Sequence, residues 1–264
     1  MSKPKIDLVL SMGGARGLAH IGVIRELLGQ GFEISSVTGS SMGALVGAMY
    51  ATGTMEECGR WFSRWTRRFM WHMADFSFNS KGLIKGERFM EELSRIMPDM
   101  NIEDLPVPYK ALATDVAHEC DVQFCSGSLH KAVRASISIP FLFCPVRIGD
   151  CVLVDGGILN PLPLGRAIRT EGSLLMAVDV NASAGSVCCK MNIYNLLVRS
   201  SRMMMQRISS YQLVDIQPDI MVSIPASRYD MMDFHRASEI IAGGELAVRQ
   251  TLDSDRLSTN GIPQ

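Results

Sequence analysis

Apolar residues recur along this chain in two alternating rhythms: short continuous runs, and longer stretches with a period of three to four. Residues 6–11 form the first run and predict a buried strand. After a glycine-rich turn, residues 16–29 place Leu18, Ile21, Ile24, Leu27 and Leu28 on one helical face. A second strand is predicted over 32–38 and a small, apolar, buried helix over 44–51. Residues 54–97 read as helical and form the longest stretch without a strand. Beyond Pro106 and Pro108, residues 109–114 read as a strand with 122–124 as its hairpin partner, and 131–138 as a short helix stopped by Pro140. Strands at 152–154, 174–180 and 220–224 then alternate with helices at 194–213 and 234–252. Alternation of this kind, with strands apolar on both faces, predicts an α/β fold. A three-layer sandwich is expected, with a mostly parallel central sheet and helices on both faces. No repeat or linker divides it, so residues 1–264 are expected to form one domain.

Composition agrees with that picture. Of 264 residues, 47% are hydrophobic and 20% charged, which allows a sizeable core. A net charge of −1 gives no electrostatic reason to expect nucleic acid as a partner. No run reaches the roughly 20 apolar residues of a spanning helix. The N-terminus shows neither the apolar region nor the cleavage site of a signal peptide, so a soluble, cytoplasmic protein is expected. The seven cysteines, Cys58, Cys120, Cys125, Cys144, Cys151, Cys188 and Cys189, contain no Cys-x-x-Cys pair and have no histidine at metal-finger spacing. They read as small buried thiols in a reducing compartment, with no metal. The eighteen methionines, three of them consecutive at Met203, Met204 and Met205, read as flexible core filler, and apolar patches around that helix would suit a homodimer.

Chemistry first enters at Gly39-Ser40-Ser41-Met42-Gly43, a Gly-x-Ser-x-Gly pattern between a predicted strand and a predicted helix. Glycine two residues either side of Ser41 permits a tight turn that lifts the hydroxyl toward the helix N-terminus, where backbone N–H groups favour developing negative charge. By itself the pentapeptide equally describes a glycine-rich turn whose serines cap a helix. A second glycine-rich turn, Met12-Gly13-Gly14-Ala15-Arg16-Gly17, joins the first strand to its helix. It fits neither the dinucleotide fingerprint nor a P-loop, but its N–H groups could stabilise an oxyanion beside Ser41. A third element, Asp155-Gly156-Gly157, closes the strand at 152–154. All three lie at strand ends, where open α/β sheets bind ligands.

A serine needs a base. Of five histidines only His235 follows Asp155, as the triad order Ser, Asp, His requires, and it lies in a helix start with no site-like turn chemistry. His20 reads as structural. Asp155 is better placed, because partial burial would raise its pKa and a short hydrogen bond to a serine would complete a dyad. Asp115 and Asp179 are rivals on spacing alone.

At this point the sequence resembles the patatin-like phospholipases, serine acyl hydrolases with a Ser–Asp dyad. The turn at 12–17, the elbow at 39–43 and Asp155-Gly156-Gly157 match its three signature blocks in order. Further matches are Ala113-Thr114-Asp115, Arg134-Ala135-Ser136 with Pro140, and Asn160 with Pro161 and Pro163. The signature covers about residues 6–181. The extension at 182–264, with Pro218-Asp219 and the helix near 239–246, is similar to bacterial members related to neuropathy-target-esterase catalytic domains. The resemblance implies a patatin-like fold, Ser41 as nucleophile and Asp155 as general base. It also implies oxyanion donors at Gly13 and Gly14 with Met42, and Arg16 as a residue that shapes the turn. Ala15, Gly17, Gly39, Gly43, Gly156 and Gly157 support the motifs. No cofactor or metal is required. Met12 departs from the family's usual first glycine; if position 12 needed positive φ, the hole would be distorted. The implied substrate is a phospholipid or lysophospholipid. The alternative is a non-catalytic lipid- or protein-binding module that keeps the fold.

All three tryptophans fall between residues 61 and 71. As one helix, residues 60–73 would set Trp61, Phe62, Trp65, Phe69, His72 and Met73 against Arg60, Arg64, Arg67 and Arg68. That arrangement suits either peripheral contact with an anionic membrane and a lid over the site, or packing onto the sheet with solvated arginines. Packing is the preferred reading, since aromatic stripes at helical spacing usually belong to the core.

Overall fold

The computed structural model describes residues 3–75, 84–183 and 193–259. Among these, the sheet has eight strands: β1 Lys5–Leu10, β2 Glu33–Ser40, β3 Tyr109–Asp115, β4 Cys120–Phe124, β5 Val146–Ile148, β6 Cys151–Asp155, β7 Leu174–Ala182 and β8 Ile220–Pro225. Their order is β5-β6-β3-β2-β1-β7-β8, with β4 added to β3. Pairings along β3, β2, β1, β7 and β8 are parallel, whereas β3–β4, β3–β6 and β5–β6 are antiparallel. The helices are α1 Ala19–Gly29, α2 Met42–Ala51, α3 Met55–Ser63, α4 Arg67–Met73, α5 Glu87–Ser94, α6 Leu129–Ser136, α7 Ile193–Asp215 and α8 Ala237–Thr259.

Strand β1 explains the layering. Ile6, Leu8 and Leu10 point into the large core with α1, α2 and α8, while Val9 points the other way, to Leu162, Leu164, Leu175 and Leu213 of α7. All four β1 side chains are buried, each worth about 1.5–3 kcal/mol. A strand buried on both faces cannot alternate with polar residues, which is why its run of apolar residues is nearly continuous.

Strand β3 positions the chemistry. Its edge opposite β4 is shared: β2 pairs with the first half, ending at Ser40 opposite Leu112, and β6 pairs antiparallel with the second half, placing Asp155 opposite Ala113. Residues 115 positions apart in sequence, Ser40 and Asp155, therefore face consecutive residues of one strand.

The long helical reading of 54–97 is corrected to α3, α4 and α5, with residues 76–83 outside the described set. The single helix over 60–73 is broken at 64–66, where the Thr66 hydroxyl accepts the Phe69 N–H at 3.2 Å and starts a new helix. Strand β5 is an addition; three residues between Pro145 and Gly149 carry too little pattern to be read. The first helix opens with a 3₁₀ turn at Gly14–Leu18, because the glycine-rich turn winds tightly before α1 begins. The thiols are less buried than expected: Cys58 is buried, Cys144 and Cys151 are partly exposed, and Cys120 and Cys125 are exposed. Cys120 is on β4, Cys125 and Cys144 are in loops and Cys151 is at the open end of β6, and Cys188 and Cys189 lie outside the described residues.

Candidate active site

Ser41 stands alone between β2 and α2, with φ 55° and ψ −125°. A serine in that region carries strain of about 1–3 kcal/mol, so its surroundings must hold it. They do. The Ser41 N–H donates to Ser136 Oγ at 2.9 Å, and that hydroxyl donates onward to the Leu112 carbonyl at 2.6 Å. Glycine is required on both sides by close approach: a Cβ on Gly39 would sit 2.4 Å from the Gly43 backbone, and one on Gly43 would sit 2.4 Å from the Leu10 carbonyl.

The structure brings Ser41 and Asp155 together. Ser41 Oγ donates to Asp155 Oδ2 at 2.5 Å, and Oδ1 accepts the Gly157 N–H at 2.7 Å. The Asp155 N–H donates to the Ser138 carbonyl at 2.9 Å. Both side chains are nearly closed to solvent, at 3% and 4% exposure. Burial pushes the Asp155 pKa up to about 6, opposed by the hydrogen bonds from Ser41 and Gly157. At neutral pH the group is thus an ionised carboxylate, more basic than one in water. Gly156 is needed because a Cβ there would meet the Leu112 carbonyl at 2.2 Å.

The glycine-rich turn lies beside this pair. Gly14 takes φ +56°, whereas Gly13 is extended and Met12 is not among the described residues with positive φ. Position 12 therefore accepts a side chain without distorting the turn. The Met12 N–H donates to the Pro161 carbonyl at 2.9 Å, and Asn181 Nδ2 donates to the Met12 carbonyl at 2.5 Å. Arg16 Nη2 donates to Asn181 Oδ1 at 2.8 Å, so Arg16 braces the turn from behind through Asn181. Burial, with Arg202 nearby, lowers the Arg16 pKa to about 10, and it stays charged at neutral pH. The Ala15 N–H is taken by the Met231 carbonyl at 2.9 Å. Among the described residues, none accepts from the N–H groups of Gly13, Gly14 or Met42. Gly17 makes room for Met42, whose Cγ would lie 2.4 Å from a Cβ at that position.

No histidine bonds Ser41 among the described residues. His235 Nε2 accepts from Arg67 Nε at 3.4 Å, and His20 is buried in the core, where its ring bonds the Ser11 carbonyl at 2.9 Å. Burial lowers the His20 pKa to about 4, leaving it neutral, with Nε2–H as donor. The two rival aspartates are engaged elsewhere: Asp115 with His118, and Asp179 with the Asn181 N–H.

Ser41 opens into a cleft of about 770 Å³, open solvent at its mouth included. Its lining is almost wholly apolar and includes Met42, Met70, Met73, Met231 and Met232. The methionines thus serve a cleft as well as the core. The aromatic face of 60–73 turns inward: Phe62 is fully buried, Trp65 lines the cleft, and both stack near Phe89 and Phe234 with centroids 5.0–6.5 Å apart. Trp71 is the one strongly exposed large hydrophobic side chain of that segment. No helix of the described residues is long and apolar enough to cross a membrane.

Sequence reasoning missed Ser136 and Asn181 as supports. Ser136 belonged to a matched block without a role, and Asn181 carried no signal beyond standing at the end of β7.

The sequence model described as patatin-like phospholipase matches residues 8–168. An uncharacterized NTE family protein of Mycobacterium tuberculosis is 40% identical over 182 residues, covering 69% of this chain and 51% of that protein. Neuropathy target esterase sws of Drosophila melanogaster is 32% identical over 185 residues, covering 67% of this chain and 13% of that protein. The chain thus spans about half the length of its mycobacterial relative and far less of the fly protein. A crystal structure of VipD from Legionella pneumophila aligns over 96% of this chain and 67% of that one, with a TM-score of 0.49 and 14% identity. On the family match, which spans the elbow, the glycine-rich turn and Asp155, the chain belongs to the patatin-like phospholipase family.

Proposed function

We propose that the protein is a serine acyl hydrolase that cleaves carboxylic esters of lipids, phospholipid or lysophospholipid, through Ser41 and Asp155. The observation that carries this reading is the 2.5 Å contact between Ser41 Oγ and a buried, basic Asp155 carboxylate at the floor of an apolar cleft. Asp155 takes the Ser41 proton as Oγ attacks the ester carbonyl. The N–H groups of Gly13, Gly14 and Met42 receive the oxyanion; losing one such donor typically costs about 3–4 kcal/mol of transition-state stabilisation. Asp155 then returns the proton to the leaving alcohol, and takes another from the water that releases the acyl group. Gly157, which holds the second carboxylate oxygen, does for Asp155 what an orienting residue does in a triad.

The acyl chain lies against the methionines and Trp65, which adapt to a flexible chain better than branched side chains would. Peripheral membrane contact runs through Trp71 and the arginines around α4 rather than through the whole aromatic face. A homodimer would use the exposed apolar residues of α7, among them Leu197, Met203, Met204 and Tyr211.

The test is turnover of short-chain p-nitrophenyl esters and labelling by a fluorophosphonate probe, with Ser41→Ala and Asp155→Asn as controls. Labelling confined to Ser41, with turnover lost in both variants, is expected. Full turnover in either variant excludes the dyad, and a folded wild-type protein that neither turns over nor labels excludes the hydrolase.

A further inference from the structure

Beyond the dyad, two hairpin turns converge on a cluster that hydrolysis does not use. Asp115 is the last residue of β3, Cys151 is the first of β6, and His118 stands in the turn between β3 and β4. The Asp115 side chain is buried at 1% exposure and fixed in place. Its Oδ1 accepts the N–H groups of Ala117 and Val152, both at 3.0 Å, and its Oδ2 meets His118 Nδ1 at 2.6 Å. The Cys151 thiol stands beside this carboxylate, its sulfur within 4.8 Å of it. One carboxylate oxygen, one imidazole nitrogen and one sulfur lie within 4.8 Å of one another, the single such group of metal-ligating side chains among the described residues.

We propose that Asp115, His118 and Cys151 bind a borderline divalent transition-metal ion, of which Zn²⁺ is the best match. An imidazole nitrogen bonds one buried anion and a thiol stands beside it, and a single divalent cation can take the place of the proton between imidazole and carboxylate and of the thiol proton. The imidazole keeps its proton by moving it from Nδ1 to Nε2, and the thiol releases one proton to solvent. Carboxylate and thiolate together then carry the two negative charges that the ion neutralises. A donor set of oxygen, nitrogen and sulfur suits Zn²⁺ and disfavours Mg²⁺ and Ca²⁺, which take oxygen.

The geometry needs only small adjustment. Donors held about 2.0–2.3 Å from a tetrahedral ion stand roughly 3.3–3.8 Å apart, so the Asp115–His118 contact of 2.6 Å opens by about 1 Å while Cys151 Sγ, within 4.8 Å of both, closes by no more than about 1.5 Å. Asp115 is the fixed member. His118, half-exposed on its turn, can withdraw from it to admit an ion, and Cys151 stands next to the Gly149–Asp150 turn. A disulfide does not compete for the thiol from Cys120. Cys120 faces Asp115 from β4, on the opposite edge of β3 from Cys151. Two strand spacings, about 9–10 Å, exceed the ~7 Å that a disulfide spans between Cα atoms. A bound ion ties the β3–β4 turn to the start of β6, the strand whose other end carries Asp155.

Co²⁺ is the probe. Untagged protein, reduced with a phosphine that does not bind metal, is titrated while near-ultraviolet thiolate-to-Co²⁺ charge transfer is followed. One equivalent is expected to bind and to be displaced by Zn²⁺. The band should persist in the Cys188→Ser/Cys189→Ser double variant and disappear in Cys151→Ser. His118→Ala, on an exposed turn that tolerates truncation, should weaken Co²⁺ binding at least ~10-fold with an unchanged circular-dichroism spectrum. Absence of a thiolate band at millimolar Co²⁺ overturns the proposal. So does a band that survives Cys151→Ser, or Co²⁺ affinity indifferent to His118→Ala.

Discussion

Replacing Asp155 with asparagine should abolish turnover and at the same time stabilise the fold. The Asp155 pKa is about 6 in the folded protein, against about 3.9 for an unfolded chain. A raised carboxylate pKa means that the folded state binds the proton more tightly, so ionisation opposes folding. Below pH ~4 the group is protonated in both states and has little effect. Between pH ~4 and ~6 the unfolded chain ionises first and stability falls; above pH ~6 the penalty is complete. Two units at about 1.4 kcal/mol each give ~3 kcal/mol at pH 7.5, and the same linkage gives ~0.5 kcal/mol at pH 4. The shift already sets burial against the hydrogen bonds from Ser41 and Gly157, so no further correction for them is needed. Asparagine keeps the shape, and its Oδ1 still accepts from Gly157. Urea unfolding of wild type and Asp155→Asn at both pH values is the assay. The variant should be ~2–3 kcal/mol more stable at pH 7.5, roughly 5–10 °C in Tm, with the gain nearly gone at pH 4. A variant less stable than wild type at pH 7.5, or a gain that does not depend on pH, would refute the reasoning.

Four further outcomes follow from the same geometry. In wild type, kcat/KM should rise with pH through about 6, because only ionised Asp155 accepts the Ser41 proton; a flat profile from pH 5 to 8 rules that out. Ser136→Ala removes the partner of the Ser41 N–H and should cost about 1–3 kcal/mol of stability, with kcat falling more than KM changes; equal stability by urea titration would show that the bond is idle. Ser41→Gly should be about 1 kcal/mol more stable than Ser41→Ala, since only glycine relaxes at φ 55°, and matched Tm values would deny the strain. His235→Ala should leave turnover within about twofold, whereas a loss of ~10³ without unfolding would restore a triad.

The legible parts of this protein are those whose signal is local. Strands β1, β3, β7 and β8 carry apolar runs, and Gly39 is required by contacts with Gly43 and Ala44 within a few residues of Ser41. The pairing of Ser41 with Asp155 was within reach because both sit at strand ends and both match a family block. What the chain hid depends on strand order. Nothing near Asp115 announces Cys151, since their meeting requires β6 to lie antiparallel beside β3. The break at 64–66 had a readable sign, a threonine able to cap α4, which the continuous aromatic period masked. Met12 could not be judged from residue type, because what matters there is a backbone angle.

The shared edge of β3 also dictates when the candidate site can exist during folding. Ser41 and Asp155 are separated by 114 positions, and only the docking of β6 onto the free half of β3 closes that loop. Contacts so distant in sequence form slowly. The close glycine contacts of the elbow need only β1, β2 and α2, but the Ser41 hydroxyl has no carboxylate partner until the antiparallel strand arrives. Reactivity toward a fluorophosphonate should therefore lag behind formation of the β1, β2 and α2 unit in a refolding experiment, so that the nucleophile marks the time at which β6 has docked on β3.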